Sequence, residues 1–104
     1  MFNWFMDKTE IINKTVNAVM GELECLIDHP TDSVTANYWI DSTHNVFAFI
    51  NDNGDDDKWI EIHYELYDCN EDMIGDLLVV ETDYTDREEL LNAVKKIVNV
   101  YYGD

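Results

Sequence analysis

Cations are scarce in this chain: six Lys plus Arg stand against 23 Asp plus Glu over 104 residues, a formal net charge of -17. That imbalance excludes a nucleic-acid backbone as the direct ligand, because such affinity comes from Lys and Arg displacing condensed counterions. It also argues against docking on an anionic membrane surface. Between Thr15 and Asp86 the one basic residue is Lys58, while the same stretch holds 18 of the 23 acids. Lys8, Lys14, Arg87, Lys95 and Lys96 belong to the two ends. The middle is thus a field of nearly one sign, beyond the roughly 2 to 8 net charges that suffice to keep a small domain soluble, and its self-repulsion opposes folding.

Other absences narrow the class further. No run approaches the roughly 18 apolar residues of a membrane span. Residues 1–7 have no basic region and too short an apolar stretch for an export signal, so a cytoplasmic location is expected. Cys25 and Cys69 are the two cysteines, and without an export signal they are expected to remain thiols. No repeat, linker or low-complexity tract is present. Against these absences stand 46% apolar and 12% aromatic residues, far above the composition of disordered chains. One folded domain over residues 1–104 is expected.

Hydrophobic periodicity places its elements. Over residues 8–27, Ile12, Val16, Val19, Met20, Leu23 and Leu26 recur at three- and four-residue intervals, which predicts an amphipathic helix. Asp7 or Thr9 can cap its start, and His29-Pro30 ends it. Ahead of it Phe2, Trp4, Phe5 and Met6 form an apolar tip, either folded beneath the helix or offered to a partner or to a second copy in a homodimer. Val34, Ala36, Tyr38 and Ile40 alternate with polar or large residues, giving a strand. Residues 46–51 give a second, and Asp52-Asn53-Gly54 supplies hairpin turn chemistry. A third puts Ile60, Ile62, Tyr64 and Leu66 on one face and Trp59, Glu61, His63, Glu65 and Tyr67 on the other. Residues 68–72 read as a loop and 77–82 as a fourth strand. Thr85-Asp86-Arg87-Glu88 has the pattern of a capping box opening a helix over 86–102, with Gly103 as its stop. The expected fold is α+β and two-layered: a four-stranded antiparallel meander with an N-terminal and a C-terminal helix on one face. The other face would carry Glu61, Glu65 and Asp41 among Trp and Tyr rings.

No motif names a reaction. There is no phosphate-binding glycine loop, no nucleophile elbow, no His-Glu-x-x-His and no Cys-x-x-Cys, so no catalytic residue, cofactor or enzymatic activity is expected. Glu61 and Glu65 flank His63, but an open sheet face offers little burial with which to shift a pKa. Cys25, His29, His44, His63 and Cys69 would form a zinc site only if the fold gathered them, and their spacing does not require it. The carboxylate-dense turn around Gly54 fails as an EF-hand, since Phe49 stands where an acid is demanded and Ile60 where a bidentate Glu belongs. The alternative function is a looser calcium- or metal-responsive use of that turn, or an accessory domain without inhibitory role.

What remains is the surface. Residues i and i+2 of a strand lie on one face about 6.7 Å apart, so Glu61, Glu65 and the neighbouring loop acids can form a row of fixed negative charge. A rigid row of that kind can enter a Lys/Arg-lined channel built for DNA or RNA, with steered association, while Trp59 and Tyr67 supply anchors for Arg planes. The expected partner-binding set is Asp55, Asp56, Asp57, Glu61, Glu65, Asp68, Glu71, Asp72, Trp59 and Tyr67, and the expected partner a basic nucleic-acid-binding protein such as a nuclease, CRISPR effector or repressor. In composition, size and layout the chain resembles the small acidic DNA-mimic inhibitors of phages and mobile elements, such as anti-restriction and anti-CRISPR proteins, and the acidic immunity proteins that cap nucleases. That resemblance is one of class and carries over no individual residue. It implies an inhibitor that competes with DNA or RNA.

Overall fold

A computed structural model describes residues 7–29, 34–54 and 57–103. The element order is α1 (Lys8–Asp28), β1 (Thr35–Trp39), β2 (His44–Asp52), β3 (Lys58–Tyr67), β4 (Met73–Asp83) and α2 (Arg87–Tyr101). The strands pair with their chain neighbours, all antiparallel, in the order β1-β2-β3-β4. This is the α+β meander with two helices that the periodicity implied. The apolar tip Phe2, Trp4, Phe5 and Met6 lies outside the described residues.

Each helix starts on an aspartate. Asp7 accepts the Glu10 N–H at 2.9 Å, and Asp86 accepts the Glu89 N–H at 3.0 Å, satisfying donors that the first turn leaves orphaned. The second cap corrects the expected box by one residue: the Thr85 hydroxyl donates to Asp83 at 2.7 Å, and it is Glu89 whose carboxylate reaches back, to the Asp83 N–H at 3.2 Å. Both helices lie on one face of the sheet and against each other, α1 over β1 and β2, α2 toward β4. Val16, Val19, Leu23 and Leu26 of α1 meet Leu90, Val94, Ile97 and Val98 of α2 over Val46, Ala48, Ile50, Ile60, Ile62 and Tyr64, all buried. The salt bridge of Arg87 to Glu24 ties the start of α2 to α1.

Asp41 departs from expectation. Instead of joining the open face it closes the β1–β2 turn on the helix side, accepting the N–H groups of Thr43 (2.7 Å) and His44 (2.8 Å) and the hydroxyl of Tyr101 in α2 (2.6 Å). Burial raises its pKa, but these donors outweigh that effect and hold the carboxyl well below the ordinary range. The same bond pushes the Tyr101 phenol up to about 12.

The fourth strand is longer than its apolar run, and two irregularities explain why. Tyr64 pairs with Leu78 but Glu65 with Asp76, and Leu66 pairs with Gly75 but Tyr67 with Met73. Leu77 and Ile74 are therefore extra residues without a partner on β3, the mark of β-bulges. Met73, Ile74, Leu77 and Val79 are all exposed along this edge strand.

Candidate functional site: the open face of the sheet

The cross-strand register writes out the uncovered face row by row. Thr35, Phe49, Glu61 and Glu81 form one row; Asn37, Phe47, His63 and Val79 the next; Trp39, Asn45, Glu65 and Asp76 a third. Asn51, Trp59 and Asp83 complete it toward the β2–β3 turn. Two like-charged pairs thus stand directly opposite each other, Glu61 with Glu81 and Glu65 with Asp76, an arrangement that destabilises a sheet.

His63 sits between them. Its Nε2 is 2.7 Å from Glu61 Oε2 and its Nδ1 is 3.2 Å from Asp76 Oδ2. Burial opposes protonation of the ring, but hydrogen bonds and charge from Glu61 and Asp76 outweigh it and raise the pKa above the usual histidine value. The ring also stacks on Phe49, centroids 5.7 Å apart, and Phe49 touches Phe47 at 5.8 Å. The face therefore has an aromatic centre and an acidic flank. Glu65 is buried, at 8% exposure, and accepts the Tyr67 hydroxyl at 3.0 Å. That bond, with burial and nearby charge, raises the phenol pKa. Tyr67 in turn packs against Trp39, centroids 4.9 Å apart.

Of the residues expected to meet a partner, Trp59, Glu61, Glu65 and Tyr67 share this face. Asp57 is exposed at the β2–β3 turn, where Gly54 adopts φ 82° and Asp52 accepts its N–H at 2.8 Å. Asp55 and Asp56 lie outside the described residues. Asp68, Glu71 and Asp72 occupy the β3–β4 loop at the opposite end of β3, and Asp68 spends its Oδ1 on the N–H groups of Asn70 and Asp72. Its described members form a stripe running the length of β3, about 33 Å for ten residues, rather than one cluster. The Trp59 indole N–H is buried without an acceptor among the described residues.

Three contributions escaped the sequence reading: the acids Asp76, Glu81 and Asp83 of β4, the Phe47/Phe49 centre, and the paired state of His63. The expectation of little burial on this face is corrected at His63, whose ring lies over Phe49 and between the Glu61 and Asp76 carboxylates. Phe47 and Phe49 did carry a signal. Residues 46–50 are apolar at every position, which a strand with one wet face does not need. The dispersed zinc ligands are not gathered: Cys25 donates to Glu22 O within α1, His44 contacts Asp41 and Tyr101 on the helix side, His63 faces the other way, and Cys69 is exposed in a loop.

Among the described residues no helix is long and apolar enough to cross a membrane. No protein-family model, curated protein or solved structure matches the chain.

Proposed function

We propose that this is a cytoplasmic, non-enzymatic binding protein that blocks a basic nucleic-acid-binding protein by presenting the open sheet face to its DNA- or RNA-binding groove. One observation carries the reading: carboxylates face carboxylates across β3 and β4, on an uncovered sheet surface, beside exposed or half-buried aromatic rings. Glu61, Asp76, Glu81 and Asp83 project from two adjacent strands with Glu65 buried among them, and His63 is the basic side chain between them. Such repulsion works against folding, so its retention is explained by a partner that relieves it. Arg and Lys of a nucleic-acid groove do so while stacking on Trp39 and Tyr67.

The test has two steps. A tagged protein captures its partner from the source lysate at low salt, and the captured protein is then titrated with nucleic acid and with salt. The expected result is mutual exclusion between nucleic acid and this protein, with affinity falling steeply as salt rises. The triple variant Glu61→Gln/Glu81→Gln/Asp83→Asn should fold and lose the inhibition. Equal binding by parent and triple variant, or simultaneous binding of nucleic acid, sinks the proposal.

A further inference from the structure

On the same face, the geometry points to a binding site for one divalent transition-metal ion of the zinc class, held by His63 Nδ1, Asp76 and Glu65. A donor atom from each of these three residues lies within 4.8 Å of the others. Two ligands about 2.0–2.1 Å from a tetrahedral zinc stand about 3.3 Å apart, and His63 Nδ1 and Asp76 Oδ2 already stand 3.2 Å apart. Small side-chain rotations of Glu65 complete the triangle, leaving a fourth position for water or a partner's side chain.

Three independent features distinguish this group from a chance gathering of acids. The first is the outer shell. A metal-bound imidazole nearly always gives its other N–H to a carboxylate or carbonyl, which fixes ring and tautomer. Here Glu61 Oε2 sits 2.7 Å from Nε2 and accepts that N–H, so an ion entering between Nδ1 and Asp76 would displace the Nδ1 proton rather than the one Glu61 holds. Glu65, itself buried, is oriented likewise by the Tyr67 hydroxyl on Oε1. The second is the bulge at Leu77. Counted back from the inward-facing Leu78 and Val80, strict alternation would send Asp76 to the helix side. The extra residue turns it onto the open face opposite Glu65, and bulges are found where a side chain must be re-aimed beside a site. The third is ligand chemistry. One imidazole nitrogen with two carboxylates suits zinc and its neighbours, whereas calcium takes six to eight oxygens and magnesium keeps most of its water. A bound ion would leave Glu61, Glu81 and Asp83 charged, so the site stands or falls separately from the proposed inhibitory role.

The test is calorimetric titration of the chelator-stripped full chain with zinc chloride at neutral pH, in a Cys25→Ser/Cys69→Ser background that removes thiol ligands. Magnesium chloride and calcium chloride serve as controls, and cobalt(II) as a spectroscopic probe of coordination number. One saturable zinc site per chain is expected, with the visible bands of four- or five-coordinate cobalt and no equivalent site for magnesium or calcium. Asp76→Asn, which alters an exposed residue and leaves the core intact, should abolish it. Glu61→Gln should weaken it by roughly 10- to 100-fold, and Glu81→Gln should leave it unchanged. Absence of saturable zinc binding overturns the assignment. So does equal binding of all three ions, the sign of a diffuse counterion cloud, or a site that survives Asp76→Asn in a folded protein.

Discussion

Replacing Glu81 should make the protein more stable, since among the described residues it has no hydrogen-bond partner that its loss would leave unsatisfied. It stands directly opposite Glu61 across β3 and β4, where Cβ atoms are about 4.5–5.5 Å apart. Two unit charges about 6 Å apart repel by about 0.7 kcal/mol in water-like surroundings. Glu81 is exposed, so that limit applies, and physiological salt trims it to about 0.3 kcal/mol. Glu81→Gln removes the repulsion, and Glu81→Lys adds an attraction, for a gain of about 1 kcal/mol. For a domain of this size that corresponds to a Tm higher by about 4–8 °C for the lysine variant and about half as much for glutamine. Thermal unfolding in low-salt buffer measures it, and the gain should shrink as salt is added. Glu88→Gln is the control. It removes the same charge, but from the first turn of α2, where an acid complements the helix dipole, and it should lower stability or leave it flat. If Glu81→Lys melts no higher than the parent, the opposed carboxylates are not strained and the physical basis of the proposed function is gone.

Other expectations follow from the same structure. Asp41→Asn should destabilise the protein by about 1–2 kcal/mol, the scale for hydrogen bonds to a charged group after allowance for partial exposure, and urea titration beside Tyr101→Phe would test whether the two act through one bond. Because the Asp41 pKa is held below its unfolded value, its contribution is fully present above pH 3.8 and lost as pH falls through the folded value. The acid limb of the stability curve should therefore flatten in Asp41→Asn, and an unchanged limb would refute the assignment. Ile62 is fully buried between the helices and the sheet, so Ile62→Ala should cost about 2–5 kcal/mol in chemical denaturation. Sodium chloride should raise the Tm of the parent by screening its net charge of -17.

The elements were legible because their periods are clean. Val16, Val19, Leu23 and Leu26 are a helical stripe, and Ile60, Ile62 and Tyr64 alternate without interruption, so the helices, the hairpin and the meander follow from spacing alone. What could not be read turns on departures from period. The bulge at Leu77 moves Asp76 to the other face, and nothing in the string Gly75-Asp76-Leu77-Leu78 announces that step. The pairing of His63 with Glu61 on its own strand is implied by their i, i+2 spacing, but its second carboxylate comes from β4 and depends on that bulge. Asp41 was assigned to the wrong face because a turn residue has no phase, and its partner Tyr101 lies 60 positions away. The Thr85 cap slipped by one residue because Asp83, Thr85 and Asp86 can each accept or donate there, and the chain used all three.

The rim of the sheet gives the acid surplus a second duty. Among the described residues β4 has no neighbouring strand on its outer side, and it exposes Met73, Ile74, Leu77 and Val79, the kind of border along which chains add to one another into fibres. Most proteins guard such a border with lysine or proline. β4 has neither, and its guards are the bulges and Asp76, Glu81 and Asp83. The same carboxylates that would attract a basic partner also hold copies of the chain apart. Acidification toward the isoelectric point near 4.1 would therefore extinguish recognition and open the border to self-assembly together.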